Sequence, residues 1–256
     1  LNRDLLRGSI LLIIIQGTAE FLDTLGANTP PRVGRIGLIH ALTPAGGVLS
    51  EFTVARLAAD HAYLTSAAAA EEIDLDLLTA HAAGHEATVT NVTERLGVIG
   101  LMGPKSRDVL GVLTDADLGT GFPWLSVQHI TVAGLPVRAM RVSYLGELGW
   151  ELHAEAGHLP ALFDALETAG QPHGIGLYGA YAANSMRLEK GYRGWGADLT
   201  TERSPLESGL AAFTKTEGRD FPGRTALIAR PNDWQSVLLR VEDGPTDPFY
   251  AHPVWQ

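Results

Sequence analysis

V-S-Y-L-G-E-L-G-W-E, from Val142 to Glu151, reads as a turn between two strands. A β-rich stretch from Ile130 to Val142 enters it, and a short alternating run from Trp150 to Ala154 leaves it. Gly146 and Gly149 permit a sharp backbone reversal. The reversal predicts that Tyr144 and Glu151 approach one another from neighbouring strands. A ring and a carboxylate so placed suit a flat, nitrogen-rich ligand: the ring gives a stacking face and the carboxylate accepts two N–H bonds side by side. An ordinary hairpin, with Glu151 solvated and Tyr144 packed on the core, satisfies the same spacing.

Two similar units lie upstream of this turn. Ile10 to Ile15 is a branched-aliphatic strand, followed by Gly17 and a short helical stripe of Ala19, Phe21, Leu22 and Leu25. Gly97 to Met102 is again a strand, Gly103-Pro104 opens a helix, and Val109, Leu110 and Leu113 form its stripe. Repetition of strand, glycine and helix predicts an internal duplication. Between the two units, Arg32 to Leu64 reads as antiparallel sheet with a turn at Pro44-Ala45-Gly46-Gly47. Glu51 lies on the returning strand, either facing solvent or forming a pocket wall. Ala67 to Ala83 is helical, and Glu71, Glu72, Asp74 and Asp76 read as a solvated face near its positive end.

Composition narrows the function classes. The chain has 256 residues, 45% hydrophobic and 19% charged, an ordinary globular balance. A formal net charge of −10 argues against nucleic acid and anionic membrane as partners. The absence of cysteine excludes disulfides, thiolate catalysis and Cys-based metal sites, and fits a cytoplasmic setting. The apolar run at Ile10 is too short to span a bilayer and has no signal-peptide flank. His81 and His85 have helical ligand spacing, but Gly84 interrupts them and no glutamate partner lies between, so no metal site is expected.

After the central turn, Leu159 to Ala169 is an amphipathic helix ending at Gly170. Tyr178 to Lys190 is a second helix, with Tyr178, Tyr181, Ala182, Met186 and Leu188 as its apolar positions and Gly191 as its cap. Tyr192 and Trp195 then stand between glycines in an irregular loop, placed either to close over a ligand or to pack onto the body. Phe221-Pro222-Gly223-Arg224 opens a short helix, and Ser236 to Val241 reads as a new strand.

Several long motifs in order carry a family resemblance. S-Y-L-G-E-L-G-W-E (Ser143 to Glu151), S-M-R-L-E-K-G-Y-R-G-W-G-A-D-L (Ser185 to Leu199), S-P-L-E-S-G-L (Ser204 to Leu210), L-M-G-P-K-S-R-D-V-L (Leu101 to Leu110) and A-G-G-V-L-S-E-F-T-V (Ala45 to Val54) resemble the folate-binding module of the glycine-cleavage T-protein superfamily. The likeness is nearest to the C-terminal half of dimethylglycine and sarcosine dehydrogenases or oxidases. The T-protein has a folate-contacting Arg where this chain has Ala183, which favours the dehydrogenase branch.

The resemblance implies an α+β fold: two related mixed or antiparallel sheet domains around a central folate channel, with the terminal β-barrel absent or truncated. Residues 1–90 and 91–235 would be the two halves of one domain, and 236–256 the start of the barrel, which the run Pro245 to Trp255 resembles. It implies tetrahydrofolate as cofactor, with Tyr144 and Glu151 at its pteridine end and Tyr192 and Trp195 in the covering loop. Glu51 would be the catalytic carboxylate, where the family usually has Asp. The added methylene lengthens its reach by about an ångström. The implied reaction makes 5,10-methylenetetrahydrofolate from an iminium derived from a small N-methyl amine, or from formaldehyde. An intact-methyl demethylase and a non-catalytic folate-binding regulator are the alternatives. No G-x-G-x-x-G follows a strand, so any FAD would sit on a further region or a flavoprotein subunit.

Overall fold

The computed structural model describes residues 10–17, 19–231 and 233–240. Its first strand, β1 (Ile10–Gly17), is apolar on both faces because both are covered. Leu11, Ile13 and Ile15 join a core shared with helices, while Leu12 with Ile10 and Ile14 faces a second sheet. A short helix α1 (Ala19–Leu25) follows, then three strands β2 (Ile36–Leu42), β3 (Val48–Ala58) and β4 (His61–Ala67), and helix α2 (Glu71–Ala82). Strand β5 (Ala87–Asn91) then completes the first sheet, whose order is β2-β3-β4-β1-β5 with every pair antiparallel.

The second half repeats the plan. Strand β6 (Leu96–Met102), helix α3 (Ser106–Gly111), strands β7 (Val127–Val132), β8 (Leu135–Met140) and β9 (Gly149–Glu155), and helix α4 (Leu159–Gly170) follow in turn. The second sheet is β6-β9-β8-β7, again antiparallel. Without β5, the two sheets have identical connectivity, with a helix after the first and fourth strand of each. The expected duplication is therefore present as a β-α-β-β-β-α unit laid down twice.

The sheets face each other, with helices outside. Phe21, Phe52, Leu64 and Leu78 fill the first helix–sheet layer. Leu110, Trp150, Leu152 and Leu162 fill the second. Leu12, Ala55 and Tyr63 of the first sheet meet Val127 and Met140 of the second in a central seam. Residues that alternate toward this seam are the ones available to a ligand between the halves. The chain beyond α5 (Ala180–Glu189), including α6 (Arg224–Ala229), wraps the β2–β3 turn. There Val48 N donates to the Thr200 and Arg203 carbonyls. A Cβ on Gly47 would sit 1.8 Å from the Thr201 carbonyl oxygen, so only glycine lets the two backbones touch. Ser204-Pro-Leu-Glu207 forms a reciprocal box: Ser204 N donates to Glu207 Oε2 (2.7 Å) and Glu207 N to Ser204 Oγ (3.2 Å).

Four sequence expectations change. The stretch from Ile130 to Val142 is two strands, broken by a tight turn at Ala133-Gly134, both at positive φ. Asp74 is fully buried rather than solvated, because the hydroxyls of Ser50 and Ser66 each reach it at 2.5 Å from neighbouring strands. The apolar positions of α5 lie outside: Tyr181 is 95% exposed, and the helix buries only Arg187. Polar bonds hold it instead, since Arg187 donates to Asn184 Oδ1 and the Tyr192 carbonyl and pairs with Asp198. Residues 236–240 carry no strand. The expected barrel entry, Pro245 to Trp255, and the chain start at Leu1 lie outside the described residues. Among the described residues no helix is long and apolar enough to cross a membrane, and no barrel closes.

Candidate active site between the sheets

Glu51 is placed by cross-strand register. It lies opposite His40 in the β2–β3 pair, and both alternate toward the seam while Phe52 and Ile39 turn to the helices. His40 is fully buried and its Nε2 donates to Glu51 Oε2 at 2.8 Å, which fixes the carboxylate's rotamer. The other ring nitrogen, Nδ1, is buried without a partner. Glu51 itself keeps 21% of its side chain exposed, so one face remains open to a ligand.

Glu151 has the same arrangement on the second sheet. Trp150 and Leu152 point into the helix-side core, which turns Glu151 and His153 to the seam. His153 Nε2 donates to Glu151 Oε2 at 3.3 Å, leaving Nδ1 to accept from the Tyr63 hydroxyl at 3.0 Å. Tyr63 comes from β4, so this bond ties the sheets together. Burial pushes the Tyr63 hydroxyl well above its ordinary pKa; Arg138 draws it back and Glu151 raises it further. The Tyr178 hydroxyl hangs over Gly100, the register partner of Glu151. It too is pushed up, by burial first and by the Glu151 charge second.

The turn from Val142 to Leu148 bends at Gly146, φ +75°, but does not join Tyr144 to Glu151 by any hydrogen bond. Tyr144 instead leans on the glycine-rich loop, donating from its hydroxyl to the Arg193 carbonyl (3.2 Å). Burial raises its pKa, Arg187 opposes the rise, and Glu51 and Asp198 add to it. Tyr144 therefore senses Glu51, the carboxylate of the opposite sheet. Trp195 joins the same side, its Nε1 donating to the Leu49 carbonyl on β3 at 3.0 Å. Tyr192 lies apart from these, at the rim of a cavity of about 260 Å³ with Trp124, Arg141, Ser143 and Glu147. Glu51, Tyr144 and Trp195 thus form one group, Glu151 stands with Tyr63 and Tyr178, and Tyr192 flanks the turn. Among the described residues no three His, Asp or Glu side chains are grouped to hold a metal ion.

This arrangement offers two acceptor carboxylates on facing sheets and aromatic rings at the rim. The family model described as the GCVT N-terminal domain matches residues 12–218. The chain belongs to the GCVT family. Human mitochondrial dimethylglycine dehydrogenase is 40% identical over 247 residues, covering 94% of this chain and 28% of that protein. Human mitochondrial sarcosine dehydrogenase is 37% identical over 226 residues, covering 82% and 24%. The aminomethyltransferase of Streptomyces avermitilis is 32% identical over 228 residues, covering 87% and 61%. The chain therefore spans less than two thirds of each of these relatives. The glycine cleavage system aminomethyltransferase T of Bartonella henselae shares the fold, with a TM-score of 0.76 at 24% identity over 86% of this chain and 60% of that one.

The resemblance drawn from the motifs is thus borne out at the level of the GCVT family. His40, His153, Tyr63 and Tyr178 were not read from the sequence as site residues of this GCVT chain. His153 sits two residues past Glu151 and shares its face by strand alternation, a usable signal. His40 has no such signal, because its pairing with Glu51 depends on a bulge between Ala41 and Leu42 that shifts the register.

Proposed function

We propose that this chain is a tetrahydrofolate-binding one-carbon transfer module that makes 5,10-methylenetetrahydrofolate from an N-methyl-amine-derived iminium or formaldehyde. One observation carries the reading within the family: Glu51 and Glu151 enter the seam from opposite sheets, each held by a buried histidine. A reduced pterin is rich in N–H donors, and carboxylates accept such donors in pairs. On this reading Glu151 accepts from the guanidine-like edge, with the Tyr178 hydroxyl beside it. Tyr144 and Trp195 give flat faces at the rim, and Tyr192 flanks the turn. When bound, the folate supplies the amine nitrogens that take up the carbon. Glu51 stabilises the positive charge of the incoming unit or accepts the proton released, and His40 keeps that carboxylate aimed. The fit rests on this donor and acceptor set and on the partial exposure of both carboxylates. Any flavin that oxidises the amine would belong to a region or subunit beyond this chain.

Calorimetric titration with tetrahydrofolate tests the reading. The parent chain binds, and Glu151→Ala weakens binding by about tenfold or more, as loss of a charged hydrogen-bond acceptor requires. Glu51→Gln retains binding but slows methylene transfer from formaldehyde by about a hundredfold, the scale of a lost acid–base group. A parent that binds no tetrahydrofolate, or equal affinity in Glu151→Ala, overturns it.

A further inference from the structure

A cavity of about 400 Å³ lies along the second sheet beyond Glu151; it shares His153 with the seam, and the rest of its lining is not used by the proposed reaction. Three basic side chains stand in one row across it. Arg138 on β8 is directly opposite His129 on β7 and His153 on β9. Arg138 Nε donates to His129 Nε2 at 3.3 Å, and its guanidinium stacks 4.2 Å above the Tyr63 ring. Among the described residues no carboxylate pairs with Arg138. Arg95 adds a second guanidinium at the edge, where its pairing with Glu155 is loose, at 3.8 Å, and half exposed. His61 is close enough to His129 to lower its pKa together with burial and Arg138. Glu155 lines the cavity, and Glu151 lies beyond His153.

A half-desolvated guanidinium without a carboxylate counter-ion costs free energy. In a chain of net charge −10, such a cluster is out of character. A planar oxyanion on the Arg138 fork would remove this cost, and the cavity is large enough to admit a small anion. We infer that this cleft, which adjoins the Glu51–Glu151 seam through His153 and Tyr63, binds a small oxyanion, a carboxylate or phosphate, through Arg138 and Arg95. The inference does not depend on the folate reading.

Titration calorimetry on the whole chain, with sodium butyrate and separately sodium phosphate at constant ionic strength, tests it, with chloride as the control. Saturable binding of at least one anion is expected, and the two arms distinguish carboxylate from phosphate. Arg138→Gln weakens that binding by about tenfold or more, the scale for a charged hydrogen bond. Arg138 also packs on Tyr63, so Arg95→Glu serves as a second variant on an exposed edge and weakens it by a similar factor. Should Arg138→Gln fail to fold, Arg95→Glu decides alone. No saturable heat with either anion, or unchanged affinity in Arg95→Glu, overturns the proposal.

Discussion

His40 and Glu51 illustrate how a single buried contact sets chemistry. The histidine is fully buried and donates one bond at 2.8 Å, so it acts on the carboxylate rather than on a ligand. Under the proposed function, His40→Ala leaves tetrahydrofolate affinity nearly unchanged but lowers kcat by about tenfold, since orientation and not contact is lost. A KM that rises as steeply as kcat falls would assign His40 to binding. Two other buried carboxyls make opposite predictions about pH. Burial raises Asp74 above its ordinary 3.8, only partly offset by the Ser50 and Ser66 hydroxyls. Its contribution is complete below 3.8 and is lost as pH rises through the raised value. Burial would also raise Glu207, but the Ser204 bonds, Arg230 and Arg203 together outweigh it and hold the carboxyl below 4.5. Its contribution is present above 4.5 and is lost as pH falls through the lowered value. Urea unfolding across pH therefore separates them. Asp74→Asn gains on the parent as pH rises from 4, the native carboxyl's penalty being removed. Glu207→Gln costs about 1–3 kcal/mol at neutral pH, and that cost shrinks in acid.

At the scale of elements, the strands and their turns were readable because their causes are local. β1 alternates between two apolar faces, Gly46 takes φ +84° in the β2–β3 turn, and Gly191 takes φ +74° after α5. The Ala133-Gly134 turn was missed because alanine is a poor marker for it. Both residues sit at positive φ, 49° and 78°, where a side chain at the first position is strained. Ala133→Asn should therefore stabilise the chain by about 1 kcal/mol, Asn-Gly being the favoured pair for such a hairpin. Thermal denaturation measures this, and an unchanged or lowered Tm would show that the turn is not under strain. Periodicity also placed α5 correctly as a helix but misassigned its faces. Which side of a helix is buried depends on what the rest of the chain lays beside it, and here that is Arg187 and its polar partners. Asp74 was misread for the same reason: its two hydroxyl donors lie on β3 and β4, distant in sequence and adjacent only in the fold.

For the molecule as a whole, the two β-α-β-β-β-α units are not independent bodies, because each needs the other to cover its inner face. Residues Leu12, Tyr63 and Met140 are almost wholly inaccessible, and they contact across the seam rather than within a unit. The Tyr63–His153 bond adds a polar tie at the same place. Under the proposed function, a site assembled from Glu51 of one unit and Glu151 of the other demands this coupling, since neither carboxylate has its counterpart within its own half. Truncating the seam should therefore weaken both units at once. Met140→Ala removes a fully buried side chain and costs about 2–5 kcal/mol by lost burial and cavity formation. Its effect is read by hydrogen exchange on peptides from β1–β4 and from β6–β9. Coupled halves lose protection in both sets by the same free energy, although the substituted residue belongs to only one. Loss confined to β6–β9, with β1–β4 as protected as in the parent, would mean that the halves fold separately and that the seam is a docking contact between two finished domains.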